Sequence, residues 1–136
     1  MFGVLVTSHG PLCKALVETG EMIAGVMENV EYISLDEKGV DVYSCQLKEK
    51  LDKMAEKYEG VIILCDLKGG TPFNECLKIA LTEEYNSAII AGVNLPVYLE
   101  TVHCSIHFSK DFEELFENLK ETTKETIEFL SFKKEE

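Results

Sequence analysis

The chain has 136 residues, 46% of them hydrophobic, enough for one core and too few for two ordinary domains, so a single domain over 1–136 is expected. Its 25 acidic residues against 13 basic ones leave a net charge of −12, which argues against nucleic acid and anionic membrane surfaces, since both call for a basic face. Five cysteines, Cys13, Cys45, Cys65, Cys76 and Cys104, form an odd set without a C-x-x-C pair; they fit neither a zinc ribbon nor a disulfide framework and read as reduced thiols of a cytoplasmic protein.

No basic region precedes the first apolar run, and no apolar stretch nears the roughly 18 residues of a membrane span. Phe2 to Thr7 reads as a buried strand. Ser8-His9-Gly10-Pro11 ends it, with Pro11 placed as the first residue of a helix whose inner face is Leu12, Ala15, Leu16, Thr19 and Ile23. Gly25 closes that helix. Val30 to Leu35 is a second strand, and a polar loop from Asp36 to Gly39 leads into a helix over 42–58 with Leu47, Leu51, Met54, Ala55 and Tyr58 as its buried stripe.

Val61 to Cys65 is apolar throughout, as a strand buried on both faces reads. Asp66 sits at its carboxyl end. Lys68-Gly69-Gly70 then turns sharply, and Thr71-Pro72 reads as a cap followed by proline at the first helical position, with Phe73, Cys76, Leu77, Ala80 and Leu81 facing inward. Ser87 to Val93 is a fourth strand and Pro96 to His107 a helix. Ser109 reads as the cap of a last helix with Phe112, Leu115, Phe116 and Leu119 inside. Thr126 to Phe132 suits either a helix extension or a strand, and 133–136 reads as a frayed tail.

Strict alternation of strand and helix implies an α/β open doubly wound sheet of four parallel strands, and order 2-1-3-4 puts the reversal between strands one and three. Ligands bind such sheets beyond the carboxyl ends of the strands at that reversal. His9 and Asp66, 57 positions apart, should therefore be neighbours.

A histidine beside a carboxylate and helix N-termini suits phosphoryl acceptance. The carboxylate takes one ring N–H, which fixes the tautomer and leaves the other nitrogen free as nucleophile. The N–H groups of Gly10, Gly69 and Gly70 and the Thr71 hydroxyl are candidates to hold the phosphoryl oxygens, with no metal or other cofactor needed. Each feature alone has a plainer reading: a loop histidine, a tight connection, a capping aspartate. Their coincidence at one crevice favours chemistry.

Thr7-Ser8-His9-Gly10, the segment Asp66 to Asn74, and Ala91 to Pro96 with Glu100-Thr101 resemble, in order and spacing, three signature segments of the mannose-family IIA component of the bacterial phosphoenolpyruvate-dependent sugar phosphotransferase system. The resemblance covers nearly the whole chain. It implies a carrier in which His9 accepts a phosphoryl group on Nε2 from the histidine-containing phosphocarrier protein and passes it to a histidine of the IIB component, with Asp66 as orienting aspartate and Thr71 as the hydroxyl of the glycine turn. Membrane permease components are then indirect partners. It also implies a homodimer in which a C-terminal strand pairs antiparallel with the partner's sheet, which turns Thr126 to Phe132 toward a strand. Lys68 stands where family members vary, and attraction of the phosphate or the phosphocarrier is a hypothesis for it.

The phosphoryl-donor subunit of the phosphotransferase-dependent dihydroxyacetone kinase also places a histidine after strand one, but its glycine turn does not look like Gly69 to Asn74. A response-regulator receiver needs acidic residues at the end of strand one for Mg²⁺, and Thr7-Ser8-His9 supplies none. A regulatory module read through its phosphorylation state is a further alternative. Glu100, His103 and His107 share one helical face; such a set can clip a metal but is far more often solvated. The sugar is not written in these residues.

Overall fold

The computed structural model describes residues 1–108 and 111–135. In chain order it comprises β1 (Gly3–His9), α1 (Leu12–Ala24), β2 (Val30–Leu35), α2 (Val40–Lys57), β3 (Val61–Cys65), α3 (Thr71–Thr82), β4 (Ser87–Ala91), α4 (Leu95–His107) and α5 (Phe112–Thr123). The four strands are parallel, as the alternation predicts, and ordered β2-β1-β3-β4, the expected order 2-1-3-4. Two cores flank the sheet. On one side Val4, Val6, Ile62 and Leu64 meet Val17 of α1, Val97 and Val102 of α4, and Leu115 and Leu119 of α5; on the other, Leu5, Val61 and Ile63 meet Leu47, Leu51 and Met54 of α2 and Cys76 of α3. β3 is buried along its whole length while β4, at the edge, is half-buried throughout.

The strand registers set the stage for the site. β1 pairs with β2 as far as His9↔Leu35, but with β3 only as far as Thr7↔Cys65. β1 therefore outruns β3 by two residues, and His9 opens onto the turn that begins at Asp66. β4 ends at Ala91 rather than Val93 because the N–H groups of Gly92 and Val93 both turn to the Cys65 carbonyl, at 3.0 Å each.

Two helix faces differ from the periodicity. α1 buries Cys13, Val17 and Gly20, whereas Leu12 and Ile23, expected inside, are 50% and 60% exposed. Two apolar stripes lie side by side on this helix, and the close crossing at Gly20, where a Cβ would stand 2.2 Å from the Tyr98 ring, selects the one that contains the glycine. α3 likewise buries Pro72 and Cys76 and turns Leu77 and Leu81 outward, because Cys76 packs in the cluster that holds Tyr43 and Cys65.

The proline-marked helix starts shift by one residue. Pro11 caps α1 rather than beginning it, Gly70 caps α3 so that Thr71 is its first residue and Pro72 its second, and Asn94 caps α4 by accepting the Val97 N–H at 2.9 Å. The expected Ser109 cap lies outside the described residues; α5 is capped by Asp111, whose Oδ1 accepts from Glu114 N at 2.9 Å. Residues 126–132 form neither a helix extension nor a paired strand. They leave Ile127, Phe129, Leu130 and Phe132 between 66% and 89% exposed. Among the described residues no helix is long and apolar enough to cross a membrane.

Candidate functional site

His9 closes β1 with its side chain 48% exposed, and Asp66, next after β3, has only 8% of its side chain exposed. The pairing that the topology predicts is present: His9 Nδ1 lies 2.7 Å from Asp66 Oδ2. That same oxygen accepts the main-chain N–H of His9 at 2.9 Å, and Oδ1 accepts the Leu67 N–H at 3.0 Å. The carboxylate is thereby held relative to its own turn and to both the ring and the backbone of the histidine. Burial pushes the Asp66 carboxyl up, but hydrogen bonds from the His9 ring and from the N–H groups of His9 and Leu67 outweigh it and hold the group below the ordinary carboxylate range. An ionised acceptor at Nδ1 keeps the ring proton there, so in the neutral ring the lone pair belongs to Nε2.

The glycine turn packs directly on this ring. A Cβ on Gly70 would stand 2.8 Å from His9 Cε1 and 3.5 Å from Nε2, so only the missing side chain lets the turn approach so closely. Gly70 has an ordinary φ of −78°, whereas Gly69 has φ +83°, in the left-handed region. Thr71 is half-buried as the first residue of α3. By helix geometry the N–H groups of Thr71 and Phe73 lack intrahelical acceptors. Since Gly70 caps α3 and packs on the ring, the positive end of the α3 dipole lies beside the histidine.

Gly10 differs from its expected role. It has φ +58°, and its N–H donates to the Leu35 carbonyl at 2.8 Å, continuing the β1–β2 ladder. That donor is already engaged and is not free for an anion.

Several contributors carry no sequence signal of their own. Ser8 Oγ accepts the Cys13 N–H at 2.8 Å, capping α1 from five residues upstream. Asn74 ties the turn by donating its side-chain N–H to the Gly69 carbonyl at 3.3 Å, while its backbone N–H donates to Gly70 at 2.9 Å. Under the end of β1, Thr7 Oγ1 donates to the Ile33 carbonyl at 2.8 Å and accepts from the Tyr43 hydroxyl. Burial pushes the Tyr43 phenol up, so it stays a donor. Only the i−3 and i+4 apolar neighbours of Tyr43 hinted at its place on the buried stripe of α2.

Away from this crevice, the rings of His103 and His107 lie 4.7 Å apart, and Glu100 accepts from the Cys104 thiol at 3.4 Å. Among the described residues no group of three or more His, Cys, Asp or Glu side chains is placed to hold a metal ion.

Comparison with known proteins adds a family to this geometry. A family model described as "PTS system fructose IIA component" matches residues 3–120. The PTS system mannose-specific EIIAB component of Escherichia coli (strain K12) is 36% identical over 104 residues, covering 73% of this chain and 30% of that protein, so the match spans under a third of the relative's length. The PTS system fructose-specific EIIA component of Bacillus subtilis (strain 168) is 34% identical over 104 residues, covering 75% of this chain and 69% of that protein. Among solved structures, the PTS IIA protein associated with the fucose utilization operon from Streptococcus pneumoniae aligns with a TM-score of 0.76 and 28% identity, over 88% of this chain and 89% of that one.

Proposed function

This chain belongs to the family of phosphotransferase-system fructose IIA components, and from that premise we propose that it relays a phosphoryl group on Nε2 of His9. The observation that carries the reading is the 2.7 Å contact of His9 Nδ1 with Asp66, which leaves Nε2 as the nucleophile on a half-exposed ring. The Nε2 lone pair attacks phosphorus, the bond from phosphorus to the donor's ring nitrogen breaks, and its electron pair returns to that ring. Positive charge then develops on the His9 imidazole directly against the Asp66 carboxylate. The turn at Gly69 and Gly70, with the Thr71 hydroxyl and the first N–H groups of α3, is the proposed cradle for the phosphoryl oxygens.

The proposed donor is the histidine-containing phosphocarrier protein and the proposed acceptor a histidine of a separate IIB component, with the relay taking place in the cytoplasm. We propose also that the whole chain is one domain and acts as a homodimer. Ile127, Phe129, Leu130 and Phe132 would pair along the open edge of β4 on a second copy, beside the groove formed by Ile89, Ile90 and Phe116.

The test is the intact mass after incubation with phosphoenolpyruvate, enzyme I and the phosphocarrier. One acid-labile phosphate that is absent from His9→Ala is expected. A wild-type chain that takes up none would sink the reading.

A further inference from the structure

The chain is strongly acidic, and most of its lysines are taken up locally. Of the eight lysines between residues 1 and 108, Lys14, Lys48, Lys50, Lys53 and Lys78 pair with carboxylates and Lys57 lies over the Tyr58 ring. Among the described residues the remaining two, Lys38 and Lys68, have neither an ion pair nor a ring partner, and both are exposed. Their places in the fold are matched. Lys38 lies three residues beyond Leu35, where β2 stops pairing with β1, and Lys68 lies three residues beyond Cys65, where β3 stops pairing with β1. Since β2 and β3 are the two neighbours of β1, one free ammonium stands on the loop to each side of the strand that ends in His9. Asp36, on the Lys38 loop, turns one carboxylate oxygen back to the Lys38 main-chain N–H at 2.9 Å instead of meeting the ammonium.

We propose that Lys38 and Lys68 act as a pair on the transferring phosphoryl group. Together they would supply the positive charge that the net −12 surface otherwise denies to a dianion approaching Nε2. The inference rests on the phosphoryl-relay reading and names the residues that make its site electrostatically passable. The field of an exposed ammonium reaches about a Debye length, ~10 Å at 0.1 M salt, so attraction from the two flanking loops should be weakened by salt but not abolished under ordinary conditions. The lysines are positioning residues here: they attract and orient the group without touching the bond that breaks.

The experiment measures initial rates of phosphohistidine formation for wild type, Lys38→Gln, Lys68→Gln and the double variant. Two donors are used, the phosphorylated phosphocarrier and phosphoramidate, each at low and high salt. The expected result is a loss of about three- to tenfold per lysine at low salt, larger in the double variant and seen with both donors. The loss should shrink at high salt, with an unchanged melting temperature. Rates of the double variant equal to wild type at low salt would overturn the proposal. So would a loss that salt does not reduce, and so would a loss confined to the protein donor, which would move the lysines' role to the partner's surface. A wild-type chain that accepts phosphate from neither donor would remove the underlying reading as well, an outcome distinct from a wild type that works beside an unaffected double variant.

Discussion

The main chain of Gly70 lies against the edge of the His9 ring, so closely that a methyl group in place of a hydrogen would reach 2.8 Å from Cε1. Its backbone has an unstrained φ of −78° that any residue adopts, so the glycine serves the ring and not the turn. Gly70→Ala should therefore fold normally while displacing the imidazole from Asp66. Phosphoryl acceptance should fall by about ten- to a hundredfold, since a displacement of about 1 Å can cost that much. Melting temperature and phosphorylation rate, measured side by side, check this; a fully active Gly70→Ala protein would mean that the ring has room to spare.

Asp66 makes stability depend on acid. Its carboxyl is held below the ordinary value of 3.8 in the folded chain, so the stabilisation is complete above that value and is lost as pH falls through the lower folded one. Asp66→Asn should give a flatter melting-temperature curve than wild type as the pH falls below about 5. The same variant should accept phosphate about a hundredfold more slowly at neutral pH, because the developing charge on the ring loses its counter-ion.

Gly20 tests the α1–α4 crossing. A Cβ there would stand 2.2 Å from the Tyr98 ring, so Gly20→Ala should destabilise by about 1–3 kcal/mol even though alanine is the better helix former. Adding Tyr98→Leu should recover part of that loss if the clash is the cause. A denaturant-melt double-mutant cycle measures the coupling, and additive effects would contradict the crossing.

Tyr43→Phe removes the hydroxyl that donates to Thr7 Oγ1 but leaves Thr7 its bond to Ile33. A loss of about 1 kcal/mol is expected by chemical denaturation.

Truncation after residue 125 removes the exposed apolar residues Ile127, Phe129, Leu130 and Phe132. Light scattering should find the full chain dimeric and the truncated chain monomeric. A full-length monomer would dispose of the proposed exchange.

Much of the site was legible because topology does long-range work. A strand that ends in histidine and another followed by aspartate become neighbours once alternation gives a parallel sheet and the order 2-1-3-4 is taken for it, and the structure sets their atoms 2.7 Å apart. Helix rotation was not legible. Leu12 and Ile23 form as good an apolar stripe as Cys13 and Val17, and only the closeness of Tyr98 to Gly20, a property of another helix, decides between them. The roles of Ser8, Asn74 and Tyr43 were hidden for a related reason: each is set by a hydrogen-bond partner whose position is fixed only after packing. Asn94 shows both cases. As a cap it could be read from the proline two residues on, but its second bond, from Nδ2 to Thr126 Oγ1 at 2.9 Å, spans 32 positions.

The short β3 has one more consequence. Along β1 the odd-numbered N–H groups point toward β3, as that of Gly3 does toward the Gly60 carbonyl, and the even ones toward β2, as those of Val4 and Gly10 do. At His9 the β3 backbone has already turned away, and the Asp66 carboxylate stands in its place as acceptor. One amide of the sheet is thus latched by a titratable side chain. Its hydrogen–deuterium exchange should accelerate whenever that carboxylate is protonated or drawn away, making a single backbone proton a label-free gauge of the state of the His9–Asp66 pair.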